Sequence, residues 1–345
     1  MTSLRSIWHP DLYHGHGKKP PFFEGWYFKL VTKGEDRAHA VIPGVFLGDE
    51  AGEPRAGVAR SHAFVQTLDG LTGRTTYHRY PMDSFRADRR EFDIWIGPNH
   101  FRADRALLDI RTPERQMQGD LSFSGLAPWP VRLSSPGIMG WYALMPFMEC
   151  YHGVVSLDHG ITGRLMIDGE DVEFGGGRGY IEKDWGQAFP RAWIWTQSNH
   201  FEALGTSLTA SVATIPWLGS AFRGFIAGLW HGGRLYRFAT YTGAVIERLQ
   251  VTDDRVNLSM RSKPRGQEKR IDRLEVVAWR NEGGLLRSPE RVAMLQRVLE
   301  SLTARVEVRL STVGDDGDKL LFEGSGRHAG LEIVGQLAEI VDSDH

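Results

Sequence analysis

The residues whose types are best suited to catalysis lie in the segment GYIEKDWGQAFPRAWIWTQSNHF, which begins at position 179. If the segment is extended, the two-residue period of a strand puts Glu182 and Asp184 on one face. Burial beside tryptophan raises the pKa of a carboxyl group, because removal from water disfavours its charged form. We therefore predict a general acid here, and favour Asp184 because it adjoins Trp185. The alternative is a surface turn in which these carboxylates pair with Lys183 and Arg191.

The end of the same segment is predicted to line a ligand pocket. A strand from position 192 onward places Trp193, Trp195, Gln197 and Asn199 on one face. Two indoles followed by two amides form a wall with a large apolar part and a polar end. Small-molecule pockets have this composition, so these four residues are predicted to bind substrate.

A second carboxylate lies among aromatic residues near the N-terminus, in PPFFEGWYFKLV. Alternation puts Glu24 and Trp26 on one face and Tyr27 on the other. Glu24 is the third candidate for the acid, and the two aromatic residues are candidates for substrate binding. The alternative is that Glu24 is an exposed carboxylate at the start of an edge strand.

The segment WYALMPFMECYHGVVSLDH contains the single cysteine, Cys150, together with Glu149 and His152. Glu149 and His152 are predicted pocket residues that rank behind the three carboxylates as acids. One cysteine with scattered histidines lacks the paired spacing of a zinc site, so we expect no metal. An apolar environment raises the pKa of a thiol, which argues against a cysteine nucleophile. No other cofactor motif is present, and the predicted chemistry is acid–base catalysis on an apolar substrate.

These residues must be positioned mainly by strands. Glycine is frequent, with 40 residues, and it separates short apolar or alternating runs, which is typical of sandwiches and barrels. We predict two β-domains, residues 1–170 and 171–345, that meet near positions 165–180. FFEGW at 22–26 faintly repeats as YIEKDW at 180–185, which suits two related domains. One helix is predicted near 289–303, because Ser288 and Pro289 form a helix start and apolar residues follow at helical spacing.

Composition limits the classes of partner. The 345 residues include 41 basic and 43 acidic side chains, a net charge of −2, without a dense basic cluster, so we expect no nucleic-acid partner. A single cysteine excludes an internal disulfide and fits a reducing compartment. The N-terminal 21 residues lack the apolar core of a signal peptide, and the longest uncharged stretch is too short and too polar to span a bilayer. We expect a soluble, cytoplasmic protein, and the oligomeric state stays open.

The chain resembles the tocopherol cyclase family. The resemblance rests on PFFEGWYFK, MPFMECYHGVVSLDH, GYIEKDWGQAFPRAWIWTQSNHF and AGLEIVGQL, which follow one another across nearly the whole chain. It implies an all-β protein of two lipocalin-like antiparallel β-barrel or half-barrel domains. It also implies acid-catalysed closure of a ring on a prenylated hydroquinone, without a redox step or an organic cofactor. The chain departs from the plant members in lacking a recognisable plastid transit peptide.

The residues fit the chemistry that the resemblance implies. A tertiary carbocation needs an acid to form it, aromatic faces to stabilise it and exclusion of water. The faces are predicted to come from Trp26, Trp185, Trp193 and Trp195. Two alternatives stay open, namely a carrier of an apolar ligand without catalysis and a carotenoid-type hydratase in which water captures the cation. Peripheral membrane contact is compatible with uptake of such a substrate.

Overall fold

The structure, a computed structural model, describes residues 4–48, 61–146, 148–217, 219–264, 270–314 and 317–341. The chain forms two compact units. The first unit consists of Met1–Phe189 and Gly284–Val298, and the second unit of Pro190–Gly283 and Leu299–His345. The boundary predicted between residues 170 and 171 falls inside the first unit. The strand Gly177–Gly186, which follows this boundary, pairs with the strand Phe22–Val31 from the N-terminal part of the chain.

The first unit contains twelve strands of one antiparallel sheet. They are β1 Phe22–Val31, β2 Ala38–Leu47, β3 His62–Asp69, β4 Thr75–Tyr80, β5 Phe85–Ala87, β6 Asp93–Ile96, β7 Asn99–Arg102, β8 Arg105–Thr112, β9 Arg115–Ser124, β10 Cys150–Ile167, β11 Glu170–Glu173 and β12 Gly177–Gly186. Their order is β4-β3-β2-β1-β12-β10-β9-β8-β7-β6-β5, with β11 beside β10. One face of this sheet surrounds an apolar core that includes Trp26, Phe28 and Ile181.

The remaining strands are β13 Trp193–Ser198, β14 His200–Phe201, β15 Ser207–Trp217, β16 Ser220–His231, β17 Arg234–Ala239, β18 Val245–Val251, β19 Arg255–Arg261, β20 Ile271–Trp279, β21 Gly284–Pro289, β22 Met294–Val313 and β23 Lys319–Val334. The second sheet has the order β17-β16-β15-β13-β23-β22-β20-β19-β18, with β14 beside β23 and β21 beside β22. The core of the second unit includes Ile194, Val212 and Leu331. Within the described ranges, no pairing joins the two edge strands of either sheet, so both sheets are open. The predicted all-β fold with two antiparallel domains is confirmed.

The helix predicted near residues 289–303 is wrong. Pro289 ends β21, and residues 294–313 form the long strand β22. Among the apolar residues at helical spacing, Val292, Leu295 and Leu299 are exposed. Pairing of β22 with β20 and β23 supplies its backbone hydrogen bonds, and tertiary pairing of this kind overrides a short helical pattern.

Helix is minor in the part of the chain that the structure describes. The α-helix there is α1 Leu4–Ile7, and the 3₁₀ helices are Met82–Ser84, Gly140–Leu144, Thr240–Thr242 and Leu337–Glu339. No helix among these residues has the length and apolar character needed to cross a membrane.

The two similar segments do not belong to two related domains. β1 and β12 carry them, and these strands are direct antiparallel neighbours in the first unit. Glu24 lies opposite Trp185, and Trp26 lies opposite Lys183. The two similar segments are therefore neighbouring strands of one sheet, and each of them carries a carboxylate and a tryptophan.

Candidate active site

Four polar side chains on β10 and β12 form a chain of contacts that we call the His152 cluster: Tyr180, Glu182, His152 and Asp184. His152 Nδ1 lies 2.9 Å from Asp184 Oδ1, and His152 Nε2 lies 3.5 Å from Glu182 Oε2. The Tyr180 hydroxyl donates to the same Glu182 oxygen over 2.5 Å. The imidazole therefore lies between two carboxylates, with a different ring nitrogen facing each.

Strand register places these groups together. His152 of β10 pairs directly with Asp184 of β12, and Tyr180, Glu182 and Asp184 alternate along β12 on one face. The predicted shared face of the two carboxylates is confirmed. Gly25 of β1 lies opposite Asp184 on the other side, where an added Cβ would contact Ile42 and Phe64.

Lys183, between the two carboxylates in sequence, points to the opposite face of the sheet. Lys183 Nζ forms an ion pair with Glu24, donates to the Leu12 carbonyl over 2.5 Å and lies 3.2 Å from His14 Nδ1. Glu24 also accepts the backbone N–H of His14 over 2.8 Å. Both charged groups of the pair are fully buried. We call Lys183, Glu24 and His14 the Lys183 cluster, and it holds the N-terminal segment against β1 and β12.

The Lys183 cluster favours the ionised form of Glu24. Burial alone would raise the pKa of Glu24, but the Lys183 ammonium and the His14 contacts outweigh burial and hold that pKa below its usual value. Burial and the Lys183 charge lower the pKa of His14, so this imidazole is neutral near pH 7. The Ser6 carbonyl can only accept, so His14 Nε2 carries the hydrogen and Nδ1 accepts from Lys183. Glu24 therefore holds the N-terminal segment in place through its contacts with His14 and Lys183.

Trp26 and Trp185 lie on the same face as the Lys183 cluster. The Lys183 nitrogen lies 4.6 Å from the ring centroid of Trp26 and 4.9 Å from that of Trp185. Trp26 is fully buried. Trp185 stacks on His14 with a centroid distance of 4.1 Å, and on Tyr151 at 5.5 Å. Both indoles therefore already make a cation–π contact within the protein.

A cavity of about 290 Å³ adjoins both clusters. His14 and His152 line it, as does Trp185. Much of the remaining lining is apolar and includes Met139, Leu144, Met145, Met148 and Phe22. Methionine adapts to irregular apolar surfaces, so this cavity suits a flexible apolar group. His152 belongs to both the cavity wall and the His152 cluster.

The other predicted residues of the first unit lie around this site. Glu149 Oε1 lies 3.6 Å from Arg291 Nη2. Burial, reinforced by the negative charges of Asp184 and Glu149, raises the pKa of the Cys150 thiol well above its usual value. Tyr27 of β1 lies opposite Glu182 and is buried, so it lies on the same sheet face as the His152 cluster.

The predicted wall of the second unit has the expected geometry for three of its four members. Trp193, Trp195 and Gln197 alternate on β13, on the face opposite Ile194 and the core. Asn199 lies just beyond the end of β13 and is buried. The role of these residues in substrate binding stays a prediction.

Three members of the His152 cluster form a group that could ligate a metal ion. The ligand atoms of His152, Glu182 and Asp184 lie within 4.8 Å of one another. The contact of Nδ1 with Asp184 is a hydrogen bond, whereas Nε2 and Glu182 make a longer contact of 3.5 Å. The arrangement can therefore exchange a proton between His152 and Asp184.

His14 and Tyr180 are not among the residues predicted from the sequence to be functional, and Lys183 is predicted there only as a surface partner of the carboxylates. Alternation does place Lys183 with Trp185, away from Glu182 and Asp184. What the sequence does not show is that β1 pairs with β12, which brings Glu24 to Lys183.

Comparison with known proteins identifies the family. A family model described as tocopherol cyclase-like matches residues 99–335. The probable chloroplastic tocopherol cyclase of Oryza sativa subsp. japonica is 34% identical over 110 residues, which are 31% of this chain and 23% of that protein. The chloroplastic tocopherol cyclase of Zea mays matches with the same identity and coverage. Each alignment thus spans about a quarter of the plant protein.

The fold also has a solved counterpart. The crystal structure of CghA with Sch210972 aligns with a TM-score of 0.50 at 13% identity, covering 92% of this chain and 89% of that chain. At this identity the likeness concerns the fold alone.

Proposed function

Because the chain belongs to the tocopherol cyclase-like family, we propose that it is an acid-catalysed cyclase of a prenylated hydroquinone or a related terpenoid, with Asp184 as the acid. The observation that carries this proposal is the 2.9 Å contact between His152 Nδ1 and Asp184 Oδ1, at a histidine that lines a cavity. The cavity suits the prenyl tail, since most of its lining residues are apolar and three of them are methionines.

The reaction balances without a redox partner. Asp184 transfers a proton from one carboxyl oxygen to a double bond of the tail, so that a C–H bond forms and a tertiary cation remains. An N–H of His152 donates to Asp184 Oδ1 and stabilises the new carboxylate. The phenol oxygen then attacks the cation, a C–O bond forms, and the phenol proton returns to Asp184.

In this scheme Glu182 and Tyr180 are positioning residues. Glu182 faces the second ring nitrogen of His152, and Tyr180 donates to Glu182. A carboxylate beside the second ring nitrogen orients the imidazole toward Asp184 and stabilises positive charge on the ring. Loss of Glu182 should therefore change the pH profile of turnover as well as its rate.

The first prediction tests the acid. Asp184→Asn keeps the shape of the side chain and removes the proton donor, so turnover should fall by about 10²–10⁴-fold while ligand binding persists. The assay incubates a panel of prenylated hydroquinones with the protein and separates each from its cyclised isomer, which has the same mass and a different retention time. Asp120→Asn is the control, because Asp120 is a half-exposed carboxylate paired with Arg105.

The outcomes separate the alternatives. Wild-type turnover in Asp184→Asn contradicts the assignment of the acid and transfers the test to Glu182→Gln and Glu24→Gln. A product heavier by one water indicates a hydratase. Binding of the panel without any conversion indicates a carrier. Retained turnover after dialysis against a chelator is also expected, and its loss would indicate a metal at His152, Glu182 and Asp184.

A further inference from the structure

Gln197 and Ser207 are two of the buried polar side chains of the second unit that lack hydrogen-bond partners among the described residues. Neither the amide oxygen nor the amide nitrogen of Gln197 has one, and the hydroxyl of Ser207 has none. Gln197 and Ser207 are both 0% exposed. Buried polar groups in native proteins nearly always have a partner, so three unpaired atoms need an explanation.

The two side chains lie on the same face of one sheet. Gln197 of β13 pairs directly with Thr209 of β15, and Ser207 precedes Thr209 by two residues, so it points the same way. Leu208 points to the opposite face, into the core. The Cα atoms of diagonal neighbours in an antiparallel pair are about 7–8 Å apart, so the two side chains are near neighbours on this face.

The same face carries aromatic and acidic groups. Trp193 Nε1 donates to Glu332 Oε2 over 2.5 Å, and Glu332 pairs directly with Trp195 and with the buried Glu300. An ideal Cβ on Gly330, the partner of Gln197 on β23, would lie 2.5 Å from the Trp195 ring. The indole therefore lies across the backbone beside Gln197.

We infer that this face of the second unit binds an apolar ligand through an uncharged hydroxyl group, which donates to the oxygen of Gln197 and accepts from its nitrogen or from the Ser207 hydroxyl. An amide offers one acceptor and two donors, and a hydroxyl is the smallest group that serves both. Two carboxylates on the face disfavour a carboxylate or phosphate ligand. Since Gln197 and Ser207 are enclosed, the ligand enters by displacing side chains that cover the face.

The experiment compares two probes that differ only at the hydroxyl. They are a prenylated hydroquinone with free hydroxyls and its dimethyl ether, and their dissociation constants are measured by calorimetry. Wild-type protein should bind the free hydroquinone about tenfold or more tightly than the ether, because the ether leaves the buried polar atoms unpaired. Gln197→Leu should reduce this ratio to about one, and Ser207→Ala should reduce it partly.

Gln66 provides a matched control for folding. This buried glutamine of the first unit has both of its amide atoms paired with the backbone of Arg287, over 3.2 and 2.8 Å. Gln66→Leu should lower the melting temperature and leave the probe ratio unchanged, whereas Gln197→Leu should keep the melting temperature.

Three results overturn the inference: equal affinity or no affinity of the wild-type protein for the two probes, an unchanged ratio in Gln197→Leu, or a loss of melting temperature in Gln197→Leu as large as in Gln66→Leu. Either of the first two results would mean that bound water or the packing of this face, rather than a ligand, accounts for the unpaired atoms. The same ratios measured in Asp184→Asn keep this test independent of the proposed acid, since they require binding and no turnover.

Discussion

Lys183 shows how one buried side chain can determine the charge state of another. Its ammonium is fully buried, yet the Glu24 carboxylate, the Leu12 carbonyl and His14 Nδ1 surround it. A buried cation needs this degree of pairing, because an unpaired charge in the interior is strongly destabilising. The same contacts favour the ionised form of Glu24, and this is why Asp184 rather than Glu24 is proposed as the acid.

The second prediction is a double-mutant cycle on this pair. Lys183→Met leaves Glu24 as an uncompensated buried carboxylate and should lower the free energy of unfolding by about 3–5 kcal/mol. Adding Glu24→Gln should recover part of that loss, because the remaining amide is uncharged. Urea unfolding followed by tryptophan fluorescence measures both. Strict additivity of the two single substitutions would contradict the assigned ion pair, and Asp120→Asn, at an exposed pair, should change the free energy by about 0–1 kcal/mol.

The third prediction concerns pH. The pKa of Glu24 is lower in the folded chain than in the unfolded one, so the stabilisation that this carboxylate provides is present above the unfolded value, near about 4.3. It is lost as the pH falls through the folded value. Wild-type protein should therefore lose more stability between pH 6 and acid conditions than Glu24→Gln does. Parallel pH curves for the two proteins, measured by urea unfolding, would contradict this.

At the scale of elements, β22 shows why a strand can carry a helical pattern. Val298 and Leu302 are buried, whereas Leu299 is 56% exposed. From Ala304 onward, buried and exposed residues alternate strictly to Leu310. The helical spacing of the apolar residues is therefore accidental, and the two-residue period, together with pairing on both sides, determines the conformation.

The fourth prediction follows from this pattern. Leu299→Lys should change the free energy of unfolding by no more than about 0.5 kcal/mol, because the side chain is exposed. Leu302→Ala should cost about 2–5 kcal/mol, because it opens a cavity in the core. A helix would bury both side chains, so equal losses, measured by urea unfolding of the two variants, would favour the helical interpretation.

The strands also show which features of the fold are predictable from the sequence. Alternation within one strand is local, so the shared faces of Glu182 with Asp184, and of Trp193 with Trp195, were predictable. The pairing of β1 with β12 joins positions about 160 residues apart, and no local pattern encodes it. The partners of Glu24 and His152 come from such pairings, so these two groups are predictable from the sequence whereas their contacts are not.

For the whole molecule, the proposed function requires that an apolar substrate reach the cavity. Leu133 is 86% exposed, and Trp141 and Leu144 of the 3₁₀ helix Gly140–Leu144 are about 40% exposed. Leu144 also lines the cavity, together with the exposed Lys18 and Lys19. Exposed apolar residues beside lysines suit the surface of an anionic membrane. We propose that the first unit contacts such a membrane peripherally and takes up substrate there.

The fifth prediction tests this contact by flotation of the protein with lipid vesicles. The protein should float with phosphatidylcholine vesicles that contain phosphatidylserine, and less with phosphatidylcholine alone, because the lysines contribute about 1 kcal/mol each near an anionic surface. Lys18→Gln with Lys19→Gln should remove the dependence on phosphatidylserine, and Leu133→Gln with Leu144→Gln should lower the bound fraction on both kinds of vesicle. Leu204→Gln is the matched control, since Leu204 of the second unit is 84% exposed. An equal effect of Leu204→Gln would indicate general stickiness of the surface, whereas an effect confined to the first unit places lipid contact beside the cavity that His152 lines.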